Sequence, residues 1–162
     1  QVGYTKPRYS VSAIVNQKYN DWSDSYFSTA LGSERTYGDA DSTNYGLRAW
    51  WRPEETGSAV PSISVGYDVS ETAKATSGQT DMYFVGLQWQ DMFSADDRIG
   101  LAFGQPQKRE DEVTDPFAWE AYYQFQVNDS VSVTPAVFGG SDRNGTAGRD
   151  LTGVVLETTF KF

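Results

Sequence analysis

Apolar side chains recur at every second position through most of this chain, and that spacing builds strands, not helices. Eight runs carry it. Over residues 9–18, Tyr9, Val11, Ala13 and Val15 alternate with Ser10, Ser12, Asn16 and Lys18, with Ile14 breaking the polar row. Residues 44–52 set Tyr45, Leu47, Ala49 and Trp51 against Asn44, Gly46, Arg48 and Arg52. The third run, 62–70, opposes Ile63, Val65, Tyr67 and Val69 to Ser62, Ser64, Gly66, Asp68 and Ser70. The fourth, 82–90, places Tyr83, Val85, Leu87 and Trp89 opposite Gly86, Gln88 and Gln90. Ile99, Leu101 and Phe103 then face away from Arg98, Gly100, Ala102 and Gly104. The longest run opposes Phe117, Trp119, Ala121, Tyr123, Phe125 and Val127 to Glu120, Tyr122, Gln124 and Gln126. Val131, Val133, Pro135 and Val137 alternate with Ser132, Thr134 and Ala136. The last run, 152–162, sets Val154, Leu156, Phe160 and Phe162 against Gly153, Glu157, Thr159 and Lys161.

Neighbouring side chains on a strand point to opposite faces, so each run has one oily and one wet side. A soluble β-sandwich produces the same alternation. Two details favour a membrane. No oily face carries a charge in any run, and one Lys or Arg at mid-bilayer costs about 2–4 kcal/mol. Trp51, Trp89, Phe117, Trp119 and Phe160 sit near run ends, where a membrane barrel places its aromatic girdles. The intervening segments (19–43, 53–60, 71–81, 91–97, 105–116, 128–130 and 139–151) alternate long and short. Outer-membrane barrels have long outer loops and short periplasmic turns, which places the C-terminus on the periplasmic side. The expected fold class is all-β, an antiparallel transmembrane barrel contributing about eight strands.

Composition narrows the function classes. Aromatic residues reach 15% while hydrophobic ones total only 38%, too few for a thick dry core around that aromatic set. The absence of Cys and His removes disulfides, thiolate nucleophiles, Ser-His-Asp triads and His-based metal sites. A net charge of −9 argues against nucleic acid, whose binding rests on clustered Lys and Arg. No apolar stretch is long enough for a transmembrane helix. Gln1 to Tyr4 is not a basic region leading into an apolar one, so either a leader has been removed or a longer N-terminal part precedes.

The segment Met82-Tyr-Phe-Val-Gly-Leu-Gln-Trp-Gln-Asp-Met-Phe93, followed by Gly100-Leu-Ala-Phe-Gly-Gln-Pro106, resembles the C-terminal region of cyanobacterial outer-membrane porins. These are the carbohydrate-selective type that often carries a surface-layer-homology domain upstream. Trp119-Glu-Ala-Tyr-Tyr-Gln-Phe-Gln-Val127, Val131-Ser-Val-Thr-Pro-Ala-Val-Phe138 and Thr159-Phe-Lys-Phe162 extend the likeness over roughly the last half of the chain. The resemblance implies a larger parent, with a peptidoglycan-binding domain, a linker and a barrel of about sixteen strands. Residues 1–162 would then be the C-terminal part of that barrel domain. An eight-strand barrel is just wide enough to be filled by side chains. The Gly, Ser and Ala of the wet rows would fill it poorly, which favours a wider ring.

Candidate functional residues follow from the faces. Arg48, Arg52, Asp68, Arg98, Glu120, Tyr122, Gln124, Glu157 and Lys161 are expected to line the channel, where charges set selectivity through their field; the plainer alternative is solvated faces with weak ion pairs. Tyr122, Phe84 and Phe138 either stack on sugar rings or pack beneath an inward-folded loop, and packing is preferred. Phe162, in phase with Phe160 and Leu156, looks like the terminal signature read by barrel-assembly machinery. Asp21, Asp24, Glu34, Asp39 and Asp41, against Arg35, form an acidic segment. Carboxylates so clustered bind calcium or magnesium in some proteins; here Asp39-Ala-Asp41 lacks the rest of a calcium loop, and simple solvation is the expectation. Asn128-Asp-Ser130 and Asn144-Gly-Thr146 match a glycosylation pattern that a bacterial setting empties of meaning, and Asn144-Gly145 reads as a turn. Glu120 and Glu157 are the one carboxylate pair that an acid–base reading would use, with nothing around them to support it. No metal, cofactor or catalytic residue is expected. The expected partners are small hydrophilic solutes (sugars, amino acids or inorganic ions), outer-membrane lipid, the assembly machinery and cell-wall polymer held by an upstream domain. Trimerisation is carried over from general porins. Two other functions compete: a structural barrel that anchors the outer membrane to the wall, and a soluble glycan-binding sandwich.

Overall fold

A computed structural model describes residues 1–19, 41–72 and 78–162. Each alternating run forms a strand, and the strands pair in chain order. They are β1 (Val2–Lys6), β2 (Tyr9–Lys18), β3 (Ser42–Trp51), β4 (Ser62–Thr72), β5 (Gln79–Gln90), β6 (Arg98–Arg109), β7 (Phe117–Asn128), β8 (Val131–Ser141) and β9 (Leu151–Phe160). All pairings are antiparallel, giving one nine-stranded sheet of order β1 to β9. A meander of this kind satisfies the backbone N–H and C=O groups of each inner strand on both sides. Among the described residues no ladder joins β1 to β9, so the sheet is open with two free edges.

The sequence leads one to expect about eight strands; the ninth is β1. Its five residues, Val-Gly-Tyr-Thr-Lys, are too short for a visible period. Lys6 nevertheless pairs with Tyr9 across a two-residue turn at Pro7 and Arg8. Strict alternation of long and short connections also fails. β4 runs to Thr72 and β5 begins at Gln79, which makes that connection shorter than the one between Trp51 and Ser62. The reason is that β4, β5 and β6 continue past the last apolar residue as stretches polar on both faces.

Register carries each face across the sheet as continuous rows. Tyr9, Trp51, Ile63, Leu87, Leu101, Ala121, Val137 and Val154 stand opposite one another in succession. The row begins on the first residue of β2 and meets β9 six residues before its end, so the strands are staggered as in a tilted barrel wall. This apolar face is the exposed one: Val65 is 39% and Leu156 68% accessible. The opposite face holds the buried polar residues Lys18, Ser42, Asn44, Asp68, Ser70 and Ser132. Among the described residues there is a single sheet, so a sandwich core, which needs a second sheet over Val65, Leu101 and Leu156, is not formed.

One irregularity matters for everything beyond it. Asp81 pairs with Lys108 but Tyr83 pairs with Gln105, so β6 carries an extra residue in a bulge at Pro106 and Gln107. Proline lacks the N–H of a regular ladder and fits such a site. The bulge draws β6 against β5: a Cβ on Gly104 would lie 2.1 Å from the Tyr83 carbonyl oxygen. Because that oxygen is backbone, Gly104→Ala is expected to destabilise the sheet by about 1–3 kcal/mol, read as a lower urea midpoint by tryptophan fluorescence.

Candidate functional site: the polar wall of the sheet

The wet rows form one wall, and its aromatic rings occupy defined seats. Phe84 stands opposite Gly66, Tyr122 opposite Gly100 and Phe138 opposite Gly153. In each case the ring covers the spot where the glycine's side chain would be, at 2.2, 2.0 and 2.4 Å from a built Cβ. Trp119 does the same over Gly139 on the apolar face. Glycine is required here for close approach. The rings therefore pack on glycines of the neighbouring strands, an arrangement distinct from both sugar stacking and cover by an inward-folded loop, and Tyr122 is further held by a 2.8 Å hydrogen bond that Gln88 donates to its hydroxyl.

The charged candidates differ in their surroundings. Arg48 donates to both carboxylate oxygens of the fully buried Asp68, at 2.7 and 2.8 Å, and its guanidinium lies 5.3 Å from the Phe84 ring centre. Their charges are mutually compensated in bidentate geometry, which is a closer pairing than a loose surface ion pair. Next to them Asn44 donates to Asn16 Oδ1 at 3.0 Å and accepts from Ser70 at 2.6 Å. Arg52 lies just past β3, donates to the Pro7 carbonyl at 2.8 Å and stacks on Trp50; it belongs to the short-turn end of the wall. There Arg8 pairs with Glu54 at 2.8 Å, around a cavity of about 260 Å³ that also takes in Ser62, Gln88 and Gln90. Arg98 stands opposite Gln124, and Gln124 donates to Ser132 at 3.5 Å. Glu157, opposite Thr134, accepts from Thr159 at 3.3 Å. Lys161 lies past β9, its backbone N–H bonded to the Ser130 carbonyl.

Glu120 and Glu157 are not neighbours. Glu120 faces Phe138 and, one strand on, Gly153; Glu157 is four residues further along β9, about 13 Å at strand rise. Among the girdle candidates Trp51, Phe117, Trp119 and Phe160 are exposed. Trp89 donates from its indole to the Ala59 carbonyl at 3.0 Å. Phe162 is fully exposed. Asp21, Asp24, Glu34, Arg35 and Asp39 lie outside the described residues; among those described, no group of three or more carboxylates is arranged to hold a metal. Gly145 takes φ +65°, the turn conformation expected of Asn144-Gly145.

The sequence reading missed a cavity of about 800 Å³ where the connections following β6 and β8 meet. Phe84, Phe138, Glu120, Arg109, Glu112 and Arg143 all line it. A 3₁₀ turn, Arg143–Gly145, reaches from the β8–β9 connection across to β6, and a Cβ on its Gly145 would touch Glu112. Counting alternate residues from Leu101 and Phe103 puts Arg109 on the apolar side; the bulge reverses the phase, and Arg109 pairs with Thr80 on the wet face. Trp50, on the wet face opposite Ser10 and Ser64, was also passed over, hidden beside Trp51.

Comparison with known proteins is sparse. No protein family matches, and no solved structure does. The chain is 29% identical over 143 residues to the "Uncharacterized protein alr4550" of a Nostoc species, an alignment that takes in 83% of this chain and 24% of that protein. It thus spans about a quarter of that relative's length.

The β5–β6 turn is built around Asp97, which is closed off from solvent. Its carboxylate accepts the backbone N–H groups of Met92, Phe93 and Ser94 at 2.8, 3.0 and 3.1 Å, and the Tyr123 hydroxyl at 3.0 Å. Burial alone would raise its pKa, but the donors from Phe93, Met92, Tyr123 and Ser94 together outweigh it, and the pKa is lowered. A depressed carboxylate contributes stability above its unfolded pKa and loses it as pH falls through the folded one. The turn is therefore expected to loosen only below about pH 4. Asp97→Asn should lower the unfolding midpoint at pH 7 and flatten its acid dependence in pH-resolved urea titrations.

Proposed function

We propose that this chain is the C-terminal part of a porin-type β-barrel of a bacterial outer membrane, passing small hydrophilic solutes down their gradients. The observation that carries this reading is the inverted distribution of the sheet: its apolar rows, charged only toward the strand ends at Lys6, Asp81 and Lys108, are exposed, and its polar rows hold the buried residues. A water-soluble sheet would bury the first and expose the second. A hydrocarbon-facing wall does the reverse, and an exposed apolar patch of this extent calls for lipid or a partner. Eight of the strands are 10 to 12 residues long, which suits a tilted span of the bilayer.

The free edges of β1 and β9 call for further strands, and a ring of about sixteen would leave the glycine-rich wall facing an aqueous bore. In this reading Trp51, Trp89, Phe117, Trp119 and Phe160 mark the lipid interfaces. Arg98, Tyr122, Gln124 and Glu157 face the bore, and Phe162 addresses the chain to assembly machinery from the periplasmic side. Sugars, amino acids and inorganic ions are the solute classes, and upstream domains would supply contact with the cell wall. Homotrimers are the assembly expected of such a barrel.

Planar-bilayer recording of the full-length protein is expected to give ohmic steps, with heat-modifiable migration on detergent gels. A folded barrel without conductance would favour the anchoring role instead; a detergent-free soluble monomer would overturn the membrane reading. In lipid vesicles, Val65→Arg on the apolar face should cost about 2–4 kcal/mol of stability, and Ser64→Arg on the other face distinctly less. Equal losses would mean that the two faces do not meet different solvents.

A further inference from the structure

We infer that the 800 Å³ cavity beneath the Arg143–Gly145 turn is a binding subsite for small zwitterions with an apolar body, the chemistry of an apolar or aromatic α-amino acid. The inference rests on the pore reading and narrows its solute classes to one.

Its lining combines three kinds of group. Among the described residues, the guanidinium groups of Arg109 and Arg143 have no hydrogen-bond or ion-pair partner, and both line the cavity. Two unpaired forks in one recess suit a carboxylate, which they can grip in bidentate fashion. The two acids differ in availability. Glu112 already accepts the Arg109 backbone N–H at 3.1 Å and supports Gly145. Glu120 has no partner among the described residues and stands opposite Phe138 on the adjacent strand. It is the group placed to take an ammonium.

The third component is apolar. Phe138 and Phe84 lie on Gly153 and Gly66, so each ring is held in place before a ligand arrives, and little side-chain freedom is left to lose on binding. Paired residues on adjacent strands hold their Cβ atoms about 4.5–5.5 Å apart, so an apolar body over Phe138 brings an attached ammonium within reach of Glu120. An inorganic anion would leave Glu120 and both rings unused, and a neutral sugar would leave three charges without a counter-charge. The volume falls within the range of small-molecule sites.

The test is block of single-channel current in the full-length protein by L-phenylalanine, against phenylacetate, phenethylamine and glucose. Phenylalanine is expected to block at about tenfold lower concentration than either singly charged analogue, the worth of one charged hydrogen bond. Glu120→Gln should abolish its advantage over phenylacetate, and Arg109→Gln combined with Arg143→Gln its advantage over phenethylamine. Arg149→Gln, which removes a charge from the same connection as Arg143 but away from the lining, should alter neither. Current that flows while the compounds block alike would overturn the subsite and leave the pore standing. Where no current flows, saturation-transfer NMR on the detergent-solubilised protein measures the same ranking. Equal transfer to the three charged compounds would overturn the subsite there too.

Discussion

An extended chain directs its hydrogen-bonding groups sideways and its side chains up and down, so a sheet can satisfy its backbone without help from either face. All else in this molecule depends on that separation. With the ladder from β1 to β9 accounting for the backbone, the two faces are free to meet different surroundings. The exposed apolar rows and sheltered polar rows are the result. The same separation leaves a liability at the rims, where β1 and β9 each present an unpaired edge.

Sidedness was legible because alternation is a local property. Val65, Leu101 and Leu156 could be assigned to one face from their neighbours alone, and the register then joined them across strands. What escaped needed information that adjacent residues do not hold. β1 was too short to show a period. Arg109 fell in the segment 105–116 that the sequence offers as a connection, and a single extra residue at Pro106 and Gln107 inverts the count that would have placed it. The pairing of Arg48 with Asp68 joins residues twenty apart and follows from register, which the turn lengths alone could not supply. Arg143 reached the wall through a loop, and loops carry no period at all.

Charge on the wall is arranged unevenly as a consequence. Around β3 and β4 it is spent internally: Arg48 on Asp68, with Asn16, Asn44 and Ser70 bonded in a chain beside them. Around β6 to β8 it stays available, on Arg109, Arg143 and Glu120. The wall thus has a tightly bonded flank on one side and an unsatisfied one on the other. Such asymmetry gives direction to the local field.

The rings seated on glycine have a geometric corollary. A planar side chain standing upright would project from the sheet and would swing with temperature. Here the missing Cβ of Gly66, Gly100 or Gly153 forms a recess into which the neighbouring ring is inlaid. Aromatic surface is thereby presented close to the strands, and the relief of the wall owes little to the bulk of Phe84, Tyr122 or Phe138.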